Sequence, residues 1–361
     1  MMNKIRIFLC CTFGLGMLYL PGCVSKPSGY GEGTRLFVVA DPEVWHALEP
    51  ALRNAFEKTI YTPEPEKVFE VIWVAPERFN DFATRKNVAL VGTLDSDGEI
   101  SQKVDGMLAP GVKARVEDGS AFVFPKKNPW AKRQMLLVLT STSVTELTHH
   151  LETNKRYLYE LLENRLLEDT RRQMYSRLEQ KELAAEALEK YGWTLRIQHD
   201  YFVNIERADA NFYMLRRSLP GRERWLFVHW IENADRSVLN ETWVLNKRDE
   251  LTSKFYKNED GVADRVYRQS NYLRVEEVNF QGRNALRVQG LWENLHESKG
   301  GGGPFRTYCF YDEASGRIYL IDIAVYFPGG DKEPFLRQLD VMAHTFRTLE
   351  EVRKEKAAEA S

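Results

Sequence analysis

The first part of the chain alternates between apolar runs and amphipathic segments. Residues 36–40 are all apolar, which is typical of a strand that is covered on both faces. Asp41, Pro42 and Glu43 then predict the start of a helix, with Asp41 as its N-cap. The apolar residues of this helix recur every three or four positions and share one face: Trp45, Leu48, Leu52 and Phe56.

The same alternation continues beyond this helix. The pattern predicts a short helix over 76–82 and a polar loop or mobile hairpin over 95–118. It also predicts further strands over 69–74, 88–94, 121–124 and 135–139. Strands separated by helices indicate a mixed α/β layer. We therefore expect an N-terminal α/β domain over residues 34–142.

A long helical region follows, over residues 143–192. Ser143 and Glu146 have the spacing of a capping box, and Gly192 supplies a stop. One straight helix between them would be about 70 Å long, which exceeds the size of a domain. We expect a bent helix or a helical hairpin on its own sheet, with a coiled-coil or partner-binding arm as the alternative. The predicted core-facing residues are Leu147, Leu151, Leu158, Leu161, Leu162, Leu166, Met174, Leu178, Leu183 and Leu188.

The second half of the chain has the pattern of antiparallel hairpins. Alternating segments flank turn residues at 219–221, 281–284 and 312–316, and helices are predicted over 245–255 and 333–347. This is a C-terminal α+β domain over 193–349, followed by a charged, frayed tail over 350–361. The predicted fold class is α+β: two mixed sandwich-like domains that are joined by the long helical segment.

Composition narrows the functions that need to be considered. The chain has 361 residues, of which 43% are hydrophobic, so it can form real cores. It carries 50 Lys and Arg against 52 Asp and Glu. This balance argues against nucleic acid as the partner.

The N-terminus has the organisation of a bacterial lipoprotein signal. Lys4 and Arg6 precede an apolar stretch over 7–19, which is too short to span a bilayer and fits a secretory signal. Leu20-Pro21-Gly22-Cys23 resembles a lipobox, in which the cysteine is acylated and the chain is cut before it. We predict a signal peptide over 1–22, lipid on Cys23, and a lipidated, flexible tether over 23–33.

The resemblance to lipoproteins also implies a location. Val24, rather than Asp, follows the cysteine, which implies the outer membrane with the body facing the periplasm. Of the four cysteines, Cys10 and Cys11 leave with the signal and Cys23 carries the lipid. Cys309 remains, in an alternating strand pattern, and is predicted to be a buried core residue.

Several short stretches, in order, resemble a known family. They are 128–134, 212–217, 247–249, 289–293, 302–305, and 325–339. Their order resembles the bacterial lipoprotein family catalogued as domain of unknown function 4837, over almost the whole mature chain. That family has no established activity, so the resemblance implies the lipoprotein location and no chemistry. The second half also looks loosely like the PsbP/Mog1 α/β/α sandwich, which implies a binding module.

The sequence contains no specific catalytic, metal or cofactor motif. His149 and His150 are adjacent on a helix, and His296-Glu297 lacks the second histidine of a zincin, so no metal site and no cofactor are predicted. The run over 300–303 is followed by Pro304 rather than by a P-loop lysine, and predicts a mobile hairpin or positive φ. Paired carboxylates cannot be read from spacing alone.

Two functional hypotheses remain. The first is a non-catalytic envelope lipoprotein that binds the bilayer through Cys23 and binds another envelope component, expected to be a protein. The alternative is a hydrolase or transferase of cell-wall or glycan material that uses clustered carboxylates. A third option, an apolar cavity for lipid, needs an enclosed pocket. The residues predicted to form a ligand or partner surface are Arg248, Asp249, Trp292, Glu293, Pro304 and Phe305.

Overall fold

The computed structural model describes residues 26–256, 264–294 and 301–359. The predicted signal peptide, Cys23 and the His296-Glu297 pair lie outside these residues. Within them the chain is α+β, as predicted, and is built on two large sheets. No helix in the described part is long and apolar enough to cross a membrane.

The first half of the chain forms a mostly parallel sheet between two helical layers. Its strands are β1 (Arg35–Ala40), β2 (Thr59–Tyr61), β3 (Pro65–Lys67), β4 (Glu70–Val74), β5 (Asn87–Thr93), β6 (Val123–Lys127) and β7 (Met135–Ser141). Its helices are α1 (Pro42–Phe56), α2 (Phe79–Phe82), α3 (Glu99–Asp105) and α4 (Pro110–Glu117). The sheet has the order β4-β1-β5-β7-β6, in which only β6 is antiparallel to its neighbour, while β2 and β3 form a separate hairpin.

The continuous apolar run of β1 is explained by burial on both faces. Leu36 and Val38 join the core formed with α1, whereas Phe37 and Val39 join a second core formed with α3. The predicted loop over 95–118 was wrong, because this stretch contains α3 and α4. Asp41 stands at the N-cap position of α1, as predicted, but its side chain does not cap that helix. Its carboxylate accepts hydrogen bonds from the amides of Ile100 and Ser101, at 3.0 and 2.9 Å, and so caps α3.

The long helical region consists of three helices rather than one bent rod or a hairpin. These are α5 (Val144–Thr153), α6 (Lys155–Met174) and α7 (Lys181–Tyr191). Ser143 caps α5 as predicted, by accepting a hydrogen bond from the amide of Glu146, and Gly192 ends α7 in the left-handed conformation. Leu178 lies in the break between α6 and α7 and is 78% exposed, so its predicted core position was wrong.

The second half forms an antiparallel sheet with helices on both faces. Its strands are β8 (Trp193–Thr194), β9 (Phe202–Arg207), β10 (Phe212–Leu219), β11 (Arg222–Ile231), β12 (Arg265–Val266), β13 (Arg274–Phe280), β14 (Arg283–Asn294), β15 (Gly301–Asp312), β16 (Arg317–Tyr326) and β17 (Arg347–Thr348). Its helices are α8 (Glu241–Phe255), α9 (Glu333–Ala343) and α10 (Leu349–Glu359). In the described residues, β9–β16 form one sheet, and β8 pairs with β17.

The two faces of this sheet have separate cores. Trp193, Leu339 and Met342 pack on the face that α7 and α9 cover. Val244 and Leu251 of α8 pack on the opposite face. The predicted frayed tail is helical from Leu349 to Glu359, so that prediction was wrong within the described residues.

The segment predicted as a flexible tether is bound to the first sheet from residue 26 onwards. The amide of Gly29 donates to the carbonyl of Lys132 at 2.7 Å, and the amide of Lys132 donates back to Pro27 at 2.7 Å. Tyr30 makes a second parallel bridge to Arg85. Residues 26–33 are therefore part of the folded body, and the flexible tether was wrong for them.

Candidate functional site

The six residues predicted to form a surface do not form one exposed patch. Arg248 lies on α8 and is only 1% exposed. Its Nε donates to Oδ1 of Asp322 at 2.8 Å, and its guanidinium stacks over the ring of Phe305 with 3.8 Å between centres. Thr307 donates its hydroxyl to the same carboxylate oxygen at 2.5 Å. Arg248 therefore joins α8 to the middle of the second sheet.

Trp292, Pro304 and Phe305 are buried with Arg248. The indole Nε1 of Trp292 donates to the carbonyl of Val325 at 3.2 Å, which satisfies its polar atom inside the core. Pro304 stands just before β15 begins to pair with β16, where no ladder donor is required. These three residues are positioned for packing and not for contact with a partner.

The glycine run is strand rather than a mobile hairpin. Gly301, Gly302 and Gly303 begin β15, and none has a positive φ. A Cβ on Gly303 would lie 2.0 Å from the carbonyl oxygen of Val325. The structure therefore requires glycine at position 303 because two backbones approach closely. Gly300 lies outside the described residues.

Asp249 and Glu293 are the two predicted carboxylates that remain near the surface. Asp249 accepts from the amide of Val266 at 2.8 Å and from Nη2 of Arg268 at 2.7 Å, so both of its oxygens are used. Glu293 pairs across the strands with Arg265, at 3.2 Å. These contacts join β12 to α8 and to β14.

A shallow depression nevertheless contains both carboxylates. It has a volume of about 330 Å³, and both carboxylates line it together with their arginine partners Arg265 and Arg268. The side chains of Asp249 and Glu293 are each 24% exposed, so water reaches them. An alternation of paired acids and bases can bind a polar ligand, but it does not isolate a carboxyl group for acid catalysis.

A buried polar cluster beneath this region was missed by the sequence analysis. Asp264 accepts from Nδ2 of Asn294 at 3.1 Å, while its own carbonyl accepts the hydroxyl of Thr252 at 2.6 Å. Burial raises the pKa of Asp264, and burial also raises the pKa of Asp322 despite its contact with Arg248. The available signal was Asp322 itself, which is the one acid in the otherwise apolar run over 318–326.

A second group of buried charges joins the two halves of the molecule. Glu66, on the β2–β3 hairpin, accepts from the amides of Lys332 and Glu333 at 2.9 and 2.7 Å. Its carboxylate therefore caps α9 from a distant part of the chain, where the helix dipole favours a negative charge. Tyr61 at the same hairpin stacks on Tyr272, with 3.9 Å between ring centres.

Glu333 has an unusual environment at this junction. Its side chain is 11% exposed and lies 3.2 Å from Nη1 of Arg337. Burial raises the pKa of Glu333 to about 7; Arg337 opposes this shift and Glu66 adds to it. Nearby, Asp340 pairs with Arg306 at 2.7 Å and accepts the hydroxyl of Tyr308 at 2.7 Å. Arg306 and Tyr308 hold the pKa of Asp340 low against the effect of burial.

Other candidate chemistries have no arrangement to support them within the described part of the chain. Cys309 is completely buried, as predicted, and burial raises the pKa of its thiol. His150 stacks on Phe122 with 4.7 Å between ring centres, which makes it part of a core. The described residues hold no group of three His, Cys, Asp or Glu side chains that could bind a metal ion.

Comparison with family models assigns the two halves to different families. Residues 180–345 match the model of a domain of unknown function, DUF4837. This match confirms the predicted resemblance to DUF4837 for residues 180–345. Residues 29–175 match a different domain of unknown function, DUF8532. The resemblance over the whole chain was therefore too broad: the stretch over 128–134 lies outside the DUF4837 match. No curated protein matches the chain.

Solved structures show only distant likeness. A point mutant of the protein Mog1 is 12% identical and covers 44% of this chain and 91% of its own, with a TM-score of 0.30. The Ran-binding protein Mog1p of Saccharomyces cerevisiae is 13% identical, covering 44% and 90%, with a TM-score of 0.28. LpqN of Mycobacterium tuberculosis, involved in cell envelope biogenesis, is 11% identical, covering 43% and 81%, with a TM-score of 0.25. At these scores the likeness does not bear on the function of the DUF4837 domain.

Proposed function

We propose that this chain is a bacterial envelope lipoprotein whose periplasm-facing body is a non-catalytic binding or assembly module. Acylated Cys23 holds it at the membrane, in the outer membrane because Val24 follows the cysteine. The observation that carries the proposal is the position of the lipobox. Cys23 stands three residues before Lys26, where the chain is already bound to the folded body.

The geometry of the charged residues supports the non-catalytic part of the proposal. Arg248 and Asp322 pair with each other in the core, and Asp249 and Glu293 each bind an arginine. Groups in such pairs stabilise a fold, whereas a catalytic acid or base needs an open partner position for substrate. The partner proposed for this body is another envelope protein.

Metabolic labelling with an alkyne analogue of palmitate tests the anchor. The wild-type protein incorporates the label, and the Cys23→Ser variant does not. Cys309→Ser is the matched control, because Cys309 is the buried cysteine that remains in the mature chain. Loss of label in the control, or label retained in Cys23→Ser, contradicts the proposal.

Mild crosslinking of envelope fractions tests the binding role. A stoichiometric envelope protein recovered with the wild type, and lost with Cys23→Ser, supports an anchored assembly module. Recovery of muropeptides or glycans without a protein partner contradicts it. That result favours the second candidate, a cell-wall or glycan hydrolase, which rests on the common depression lined by Asp249 and Glu293.

A further inference from the structure

The point at which the chain joins the folded body is surrounded by positive charge. Nζ of Lys26 donates to the carbonyl of Asn128 at 2.8 Å, and Nη2 of Arg133 donates to the hydroxyl of Ser28 at 3.0 Å. Lys132 exchanges backbone hydrogen bonds with the same segment. Five exposed residues surround the β6 edge of the first sheet and are called the cationic face: Lys26, Lys126, Lys127, Lys132 and Arg133. Lys126 and Lys127 are consecutive in β6, so they project to opposite sides of the same edge.

Three members of this face carry charge that no neighbouring acid neutralises. Lys126, Lys127 and Arg133 make no ion pair with any carboxylate of the described residues. Arg165 donates to the backbone carbonyl of Arg133, and its own acid partner Asp169 already contacts both Arg165 and Arg172, at 3.1 and 3.5 Å. Two aromatic side chains accompany the cations: Tyr30 is 44% exposed, and Trp130 is half-buried against Phe79.

The proposed anchor places this face close to lipid. Lys26 is three positions after Cys23, and an extended chain over three positions spans about 10 Å. Since the headgroup layer is about 5–8 Å deep on each side of a bilayer, Lys26 cannot stand far above it. The separation is comparable with the Debye length of about 8–10 Å, so the charges interact with the surface.

We propose that the cationic face of Lys26, Lys126, Lys127, Lys132 and Arg133 docks on an anionic membrane surface and orients the anchored body. The inference rests on the proposed function, because lipid on Cys23 is what places this face near the membrane. The attraction of the face to anionic lipid, in contrast, does not require acylation. Lys and Arg attract anionic headgroups, and Tyr and Trp favour the membrane–water interface. The alternative explanation is protection of the edge strand β6 against pairing with other chains, for which Lys and Pro suffice.

Vesicle binding by the unacylated mature chain tests the inference. The protein begins at residue 23 with Cys23→Ser, which keeps every described residue. It is mixed with vesicles of phosphatidylglycerol and phosphatidylethanolamine, and separately with vesicles of phosphatidylcholine. We expect binding to the anionic vesicles that weakens as salt is raised, and little binding to phosphatidylcholine.

Two charge-reversed double variants distinguish the effect of charge on this face from the effect of the protein's net charge. Each cation near an anionic surface is worth about a fivefold change in affinity, so Lys126→Glu/Lys127→Glu lowers the partition coefficient about 25-fold or more. The control Lys354→Glu/Lys356→Glu has the same net charge and alters exposed lysines of α10. It binds like the wild type. Because glutamate also protects an edge strand, edge protection alone predicts no difference between the two variants.

The outcomes distinguish the inference from the anchor. Equal binding of both variants, equal loss in both, or equal binding to phosphatidylcholine overturns the membrane-docking face. Palmitate labelling does not depend on these lysines. If Cys23 takes the palmitate label but the protein does not bind vesicles, the proposed lipid anchor stands and the proposed docking face is wrong. If the protein binds anionic vesicles but Cys23 takes no palmitate label, the proposed docking face stands and the proposed lipid anchor is wrong.

Discussion

The buried charges of the second half and the cationic face of the first half differ in how their charge is satisfied. Arg248, 1% exposed, is held by Asp322 and by the ring of Phe305. Lys126 and Lys127 are exposed at the end of an edge strand and make no ion pair within the described residues. The buried charges are therefore paired within the fold, whereas the exposed lysines can bind a partner outside it.

This difference shows where function is to be sought in the molecule. A buried charge must be paired because removal from water is costly, so its presence reports on folding. An exposed cluster of like charge is hydrated by water and needs no partner within the fold. Arg248, which the sequence analysis singled out, belongs to the first kind, and lysines that it did not single out belong to the second.

The largest expected effect comes from breaking the buried pair. Arg248→Met leaves Asp322 buried without its partner and lowers the free energy of unfolding by about 3–5 kcal/mol. The double variant Arg248→Met/Asp322→Leu recovers most of this loss, because neither charge then remains. Urea unfolding measures both, and a loss below about 1 kcal/mol for the single variant would show that the pair is not structural.

The next largest effect is expected at the junction of the halves. Glu66→Ala removes the carboxylate that caps α9 and lowers the free energy of unfolding by about 2–3 kcal/mol. Glu64→Ala, in the same hairpin but exposed, is the control and changes stability by less than about 0.5 kcal/mol. Equal unfolding midpoints for the two variants would remove Glu66 from this account.

Glu333 makes stability depend on pH. Its folded pKa of about 7 lies above the usual value of 4.5, so the folded state holds the proton more tightly. Its contribution is fully present below pH 4.5 and is lost as the pH rises through about 7. Between about pH 5 and about pH 8, ionisation of Glu333 should lower the free energy of unfolding of the wild type by roughly 2 kcal/mol, and Glu333→Gln should remove this decrease. Parallel pH profiles of unfolding for wild type and variant would contradict the assignment.

The smallest effects are expected at the exposed carboxylates. Asp249→Asn and Glu293→Gln each change the free energy of unfolding by about 1 kcal/mol or less, because their ion pairs are screened by water. Both leave the muropeptide profile of the envelope unchanged. An altered muropeptide profile with normal stability would favour the hydrolase. It would also show that these paired carboxylates do more than stabilise the fold.

Local patterns predicted most of the elements correctly. The buried run of β1, the hairpin of β10 and β11, the cap at Ser143 and the stop at Gly192 each depend on a few neighbouring residues. The errors arose where tertiary contacts decide. The polar stretch over 95–118 forms helices because Asp41 caps α3 and Ile100 enters a core, and neither contact is visible locally.

The candidate site was predicted less well for the same reason. Arg248 was predicted to lie on a ligand or partner surface because its partner Asp322 lies 74 positions away, and only the packing of α8 on the sheet brings them together. Glu66 capping α9 spans 266 positions to Lys332. The cationic face could have been predicted in part, since Lys126, Lys127, Lys132 and Arg133 are close in sequence. Its meeting with Lys26 required the fold.

The most direct test of membrane docking measures how close two sites of the lipidated protein lie to the vesicle surface. A fluorophore is attached to one introduced cysteine at a time. Lys127→Cys lies on the cationic face, and Glu313→Cys lies in the β15–β16 turn, at the opposite end of the sheet from the Glu66 contact. Buried Cys309 does not compete for the label. Headgroup-linked quenchers should quench the fluorophore at position 127 strongly and the fluorophore at position 313 weakly. Equal quenching at both positions would contradict a body that is held on the membrane by its cationic face.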